Sequence, residues 1–205
     1  MLFRSFKACE VIQRVRPEPV DGEILNPHRG WTTFQRFAGD PLEPGRRWDD
    51  SEGPVVFPDV PPAERVMPGD FPVSIAYCRW PWGVLEPEKG KIRFDILDKS
   101  LAEADRRGQT LQMRVQPFVH DDLPKWYAAT GAAMLPLRPN WAPDPDSNDP
   151  IYIRHWTDFI RALGARYDGH PVLESFDVAY AGRFGEMGGN ATPTTAEVLV
   201  NAYYE

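Results

Sequence analysis

The sequence predicts an α/β fold of the (β/α)8 TIM-barrel type, truncated to about the first four βα units. Three observations predict it. Strand-like and helix-like segments alternate from residue 72 onward, and that alternation implies a parallel sheet with helical crossovers. In TLQMRVQPF (110–118), Leu111, Met113 and Val115 point one way, and Gln112, Arg114 and Gln116 point the other. A doubly wound sheet buries both faces against helices, where a Gln/Arg/Gln face is costly. The inside of a barrel near its carboxyl-terminal mouth tolerates such a face when its groups bond one another or a ligand. Finally, a complete barrel takes about 250 residues. Here four units occupy 205, and Glu205 falls within a helical pattern, so the chain reads as the amino-terminal half of a longer barrel.

Residues 1–25 are expected to be an amino-terminal extension, and 26–205 the half-barrel. Trp31 to Phe37 is a short strand candidate. PVSIAYCRW (72–80) is the next strand, ended by Pro81, and EPEKGKIRF is a turn-rich connection. DILDKSLAEADRR (95–107) reads as a helix. Asp95 is its expected N-cap, Ile96, Leu97, Leu101 and Ala104 its apolar face, and Gly108 its stop. After the strand 110–118 comes a long loop rich in Pro and Trp. The spacing then predicts a helix over 151–168. Asp149 caps it, Pro150 takes the first turn, and Ile153, Trp156, Ile160, Leu163 and Tyr167 repeat at threes and fours before Gly169. VLESFDVAY (172–180) is a strand. TTAEVLVNAYYE (194–205) opens a helix, with Thr194 and Glu197 as its expected capping box. Arg79 ends its strand on the side of Val73, Ile75 and Tyr77, and Asp177 projects opposite to Phe176 and Val178. Polar residues thus collect at strand ends, where βα barrels place their chemistry.

Composition narrows the function classes. With 42% hydrophobic and 26% charged residues the chain reads as globular. A formal net charge of −7 argues against a nucleic-acid partner, because phosphate binding needs a basic surface. His28, His120, His155 and His170 are scattered, Cys9 and Cys78 form no CxxC pair, and no cofactor or metal is called for. No apolar run approaches the roughly 20 residues that span a bilayer. The basic start lacks a sustained apolar stretch, so no signal peptide is expected, and compartment and oligomeric state stay open. The 22 prolines cluster in 41–72 and 136–150, marking two long loops.

AGRFGEMGG (181–189) sets one carboxylate, Glu186, among glycines just after an apolar strand. Such a residue is either a solvated turn or the rim of a site. If it is a site, the glycines let the backbone bend tightly and leave room for a ligand.

The block RWPWGVLEPEKGKIRFDILDKSLAEADRRGQTLQMRVQPF resembles the second and third βα units of beta-galactosidase-type (β/α)8 glycoside hydrolases, family 42 and its relatives in clan A. Trp82, Glu86, Pro87, Gly90, Phe94, Asp95, Leu97, Asp98 and Gly108 carry the likeness. DLPKWY and YIRHWTDFIRALGARYDGHPVLESFDVAYAGRFGEM extend it, and NPHRGW (26–31) looks like the start of an uncharacterised barrel group related to these hydrolases. The resemblance covers residues 26–190. It implies hydrolysis of glycosidic bonds with retention of configuration, Glu186 as acid/base, and a nucleophile after a seventh strand. The isolated chain is then expected to be inactive. The clan places Asn before its acid/base Glu, whereas Gly185 stands there in this sequence.

Against that resemblance, Arg79 and Arg114 are candidates to orient a carboxylate or bond sugar hydroxyls, or else form an ion pair with Asp177 or Glu186. Gln116 and Asp177 line the same expected mouth. Trp80 and Trp82 either stack on sugar rings or pack in the core, and Trp126 is a candidate subsite. Trp31 and Arg29 are candidates at the first strand. Glu86 is expected to fix its loop, and Glu174 to lie too early in its strand for catalysis. His120, Asp121 and Asp122 are either pocket-lining or solvated. DPDSND (144–149) reads as a helix-capping turn rather than a calcium loop. Two rival functions remain: a non-catalytic carbohydrate-binding barrel, and a half-barrel that assembles through an open sheet edge.

Overall fold

The computed structural model describes residues 31–40, 53–57, 73–119, 122–135, 143–186 and 190–205. The expected extension (1–25), Arg29, His120 and Asp121 lie outside them.

The fold is α/β. Four parallel strands form one sheet in chain order: β1 (Thr32–Phe34), β2 (Ile75–Pro81), β3 (Thr110–Gln116) and, further on, β6 (Leu173–Asp177). Three helices follow the strands: α2 (Phe94–Arg106), α3 (Pro150–Tyr167) and α4 (Pro193–Asn201). A short α1 (Trp82–Leu85) directly extends β2. A two-strand antiparallel ladder, β4 (Met134–Leu135) with β5 (Asp144–Pro145), sits in the long loop before α3.

Among the described residues the strand order never reverses, and one sheet face carries the core. On β2 and β3, Ala76, Cys78, Trp80, Leu111, Met113 and Val115 are all fully buried. They join Ile96, Leu97 and Leu101 of α2 with Trp156, Phe159, Ile160 and Leu163 of α3 in a single cluster. The opposite face carries Tyr77, Gln112, Arg114 and Asp177, which are only half-buried. Sequential parallel strands covered on one face are the winding of a barrel segment, since a doubly wound sheet reverses its order and covers both faces.

The predicted helices form, with two corrections at their starts. α2 begins at Phe94 with Arg93 at the N-cap position, so Asp95 is not the cap. It lies in the first turn, where a carboxylate suits the helix dipole, and pairs with Arg93 at 2.9 Å. In α4 the cap is Thr192, not Thr194: its hydroxyl accepts from Thr195 N–H at 3.3 Å, and Pro193 takes the first helical position. The pattern from Thr194 misled because the proline ahead of it belongs inside the helix. α3 starts as expected, with the Asp149 carboxylate accepting from Ile151 N–H at 2.7 Å.

Candidate functional site

The mouth of the segment is the carboxyl end of the sheet, where the register row Arg79–Arg114–Asp177 crosses three strands. Period-2 alternation puts these three side chains on the polar face beside Tyr77 and Gln112. Asp177 is the hub. Tyr77 donates to it at 2.8 Å, Gln112 at 3.0 Å, and the Arg114 guanidinium at 3.1 and 3.0 Å. Burial and the bond to Asp177 push the Tyr77 phenol well above its ordinary range. Arg114 therefore forms the structural ion pair, with Asp177 as its partner.

Arg79 is 5% exposed and lies over the Phe34 ring at 4.8 Å. Burial pulls its guanidinium below the ordinary value; Arg114 adds to that, while Tyr77, Glu186 and Asp177 oppose it. Glu186 follows the short turn Arg183–Gly185 in the loop after β6. Glu186 itself is exposed.

The loop that carries Glu186 has a demanding backbone. Phe184 takes φ 60 and Gly185 φ 70, both in the left-handed region. A Cβ at Gly185 would lie 2.4 Å from the Ala179 methyl. Glycine is required there by conformation and by space, so an Asn at that position is incompatible with this turn. Arg114 reaches the loop as well, donating to Phe184 O at 3.5 Å, and Phe184 N–H donates to Phe118 O at 3.2 Å.

Gln116, the last residue of β3, is fully buried. Neither its amide nitrogen nor its amide oxygen has a hydrogen-bond partner among the described residues. A buried polar group left so costs about 1–3 kcal/mol. Sequence reasoning placed Gln116 at the mouth, but its unmet amide was not foreseen.

Four aromatic candidates lie elsewhere. Trp80 and Trp82 are 0% exposed and offer no ring face to a ligand. Alternation turns Trp80 onto the helix side, where its indole donates to Pro54 O at 3.1 Å. Trp82 sits in the aromatic centre of the core, edge-on to Trp156 at 5.3 Å and to Trp126 at 5.6 Å. Trp31 is exposed, but it precedes β1, whose first residue aligns with Ile75 and Thr110. That is the amino end of the sheet, opposite the mouth. Trp126 is half-buried on the helix flank, with its indole donating to Glu86 O at 2.9 Å and its ring beside Trp82 and His155.

Glu86 does fix its loop. Its buried carboxylate accepts from the Trp82 indole and from Gly90 N–H, each at 2.7 Å. The W…EPxxG block is thus a latch: the Glu ties the start of α1 to a turn closed by Gly90 at φ 75. Glu174 falls at the register shift between β3 and β6 and accepts from the Thr110 hydroxyl at 2.8 Å, near the amino end. Asp122 serves the loop through its backbone, its carbonyl accepting from Gly83 N–H at 3.1 Å. In DPDSND, Asp146 Oδ1 faces N–H donors from Asn148 and Asn190, and Asp149 caps α3, so the run is a capping turn. A cavity of about 840 Å³, lined by Leu163, Leu173, Phe176, Ala202 and Tyr203, opens at the edge of β6, away from the polar row.

A scan against protein-family models finds no match, and a search of curated proteins finds none. Among solved structures, the chain is similar to GH5_18 from Streptomyces cattleya in complex with GlcNAc, at 18% identity and TM-score 0.45, covering 64% of this chain and 32% of that one. It is similar to a GH5_18 from Bifidobacterium longum subsp. infantis, at 11% identity and TM-score 0.44, covering 64% and 31%. A beta-galactosidase from the psychrophilic Marinomonas ef1 aligns at 18% identity and TM-score 0.40, covering 49% and 16%. The chain spans about a third of the length of the two GH5_18 structures. At TM-scores this low the likenesses decide nothing about the chain. Its fold rests on its own strand order and on the burial of one sheet face.

Proposed function

We propose that this chain is the amino-terminal half of a (β/α)8 glycoside hydrolase of beta-galactosidase type, with Glu186 as the general acid/base. The observation that carries the reading is the loop after β6, which presents Glu186 and is bonded at Phe184 by Arg114 of the polar row. A retaining mechanism uses two carboxyl groups about 5–5.5 Å apart, one protonating the leaving oxygen and one attacking the anomeric carbon. Glu186 supplies the first. Its proton passes to the glycosidic oxygen as that bond breaks, and Glu186 then takes a proton from the water that releases the sugar. Arg79 orients the carboxylate. The Asp177–Arg114 pair keeps its own charges balanced and holds the loop.

The nucleophile belongs to the other half of the barrel. A general acid must be kept protonated by burial or by a neighbouring negative charge. Glu186 is exposed in this chain, so the second half supplies that enclosure too. The isolated chain is therefore inactive on aryl glycosides, and the complete barrel hydrolyses them. Retaining hydrolysis by the purified 205-residue chain, abolished in Glu186→Gln, would overturn the half-site reading.

The exposure of Glu186 favours one second reading, a barrel that binds carbohydrate without cleaving it. Isothermal titration of the complete protein with oligosaccharides separates the two: binding without turnover supports this second reading.

A further inference from the structure

β1 ends at Phe34, yet its pairing with β2 is carried on to Arg79 by other groups. Gln35 N–H still bonds to Tyr77 O, at 2.8 Å. The chain then turns away, with Gln35 at φ 57. Phe37 N–H, which a continued strand would offer to β2, is spent on the Asp40 carboxylate at 2.8 Å. The side chain of Gln35 takes the place of the missing peptide. Its Oε1 accepts from Arg79 N–H at 2.7 Å, and its Nε2 donates to Arg79 O at 3.5 Å. Gly53 N–H donates to the same carbonyl. A primary amide carries an acceptor oxygen and N–H donors, so it can meet both backbone groups of one residue as a strand does.

The conformation is unusual. A non-glycine residue at left-handed φ crowds its own Cβ against the backbone, and such residues cluster at functional sites. Among the described residues Gln35 and Phe184 take it. Both stand at the carboxyl end of the sheet, Gln35 directly after β1 and Phe184 two residues before Glu186. Gln35 and Arg79 are both buried, so the amide bonds between them are shielded from water.

The turn fixes both members of a stack. Phe34 precedes Gln35, and its register partner is Tyr77 of the polar face. The Arg79 guanidinium lies over the Phe34 ring, where the ring quadrupole attracts a cation. Gln35 ties the chain that carries the ring to Tyr77, and its amide grips the backbone of the residue that carries the cation. A long, flexible side chain is placed reliably only when its own backbone is placed, and small misplacements near a reacting group are expensive in rate.

We propose that Gln35 is a positioning residue that holds Arg79 over Phe34 at the mouth. The inference rests on the part proposed for Arg79 beside Glu186, but its test reads the stack and not turnover. A complete barrel without glycosidase activity would remove the catalytic part of Arg79 and leave the hold of Gln35 standing, so the two failures are separate results.

The test is NMR of the isotope-labelled chain, reading the side-chain resonances of Arg79. The ring current of Phe34 shifts them upfield while the guanidinium lies over the ring face. Phe34→Leu sets the unshifted position, and Phe34 is exposed, so that variant folds. Gln35→Gly accepts left-handed φ without strain and removes the amide. Gln35→Asn keeps an amide and is a residue type enriched at this φ, so it keeps the turn, but it is one methylene too short to reach Arg79. Both Gln35 variants are expected to move the Arg79 resonances to their positions in Phe34→Leu, with thermal unfolding still cooperative. A Gln35 that merely supports the fold would lower the melting temperature in both variants and leave the Arg79 resonances upfield. That result overturns the proposal, as does an unaltered chain whose Arg79 resonances coincide with those of Phe34→Leu.

Discussion

Gly185→Ala is the sharpest perturbation of the loop that presents Glu186. Two penalties act together. The first is conformational: φ at Gly185 is 70, and an L-residue held there costs about 1–2 kcal/mol. The second is steric: the new methyl would meet Ala179 Cβ at 2.4 Å and Pro117 Cδ at 3.2 Å. Neither neighbour is the end of a flexible side chain, so the loop must move, at about 1–3 kcal/mol by analogy with overpacked cores. Restricting the unfolded chain returns about 0.4–1 kcal/mol. The net expectation is a loss of about 1–5 kcal/mol. Gly169→Ala is the control, because Gly169 has φ 71 but nothing within 4 Å of where the added methyl would lie. It should lose only the conformational part, about 1 kcal/mol after the unfolded-state gain. Urea denaturation of both variants gives the difference. Equal losses at the two positions would refute the close packing of Gly185 on Ala179.

Other outcomes follow from the same contacts. Asp177→Asn should cost about 1–3 kcal/mol by denaturation, because Arg114, Tyr77 and Gln112 all bond to that carboxylate; an unchanged midpoint would remove the hub from the account. Trp82→Ala should cost about 3–5 kcal/mol, since the ring is fully buried and its indole is the partner of buried Glu86. Two carboxyls should tilt the pH dependence of stability in opposite directions. Burial raises Glu86 above its ordinary value, against the bonds from Gly90 and Trp82, so its contribution is greatest below the unfolded value and is lost as pH rises through the folded one. Bonds from Asn190 and Asn148 lower Asp146, so its contribution is present above the unfolded value and is lost as pH falls through the folded one. Glu86→Gln and Asp146→Asn should each flatten the corresponding limb in denaturation curves taken across the acidic range.

The sequence exposed the fold because its strands carry a clear two-sided pattern. Leu111, Met113 and Val115 against Gln112 and Arg114 described both the covered face and the open one, while Gln116 at the strand end is buried. It exposed α3 because Asp149, Pro150 and the apolar repeat agree on one start. Two helix starts were misplaced, the one read from Asp95 and the one read from the Thr194–Glu197 capping box, because a neighbouring Arg or Pro changed the frame. The tryptophans were illegible for a different reason. Whether an indole packs or stacks depends on which side of the sheet it faces and how the next element covers it. Trp80 and Trp82 follow one another along the strand end, yet α1 turns Trp82 into the core as well. The bonds between the cap turns of α3 and α4 were equally hidden: Asn190 stands more than 40 residues after Asp146 and Asn148, and nothing in their spacing links them.

The central claim is that Glu186 gives its proton to a leaving group, and the leaving group itself provides the measurement. A poor leaving group such as an alkyl alcohol needs that proton, while 2,4-dinitrophenolate departs without it. In the complete barrel, Glu186→Gln should therefore lower kcat/KM on alkyl glycosides by about 10²–10⁴-fold, the usual worth of a general acid, and affect dinitrophenyl glycosides far less. An equal loss on both substrates, or no loss on either, would contradict the assignment.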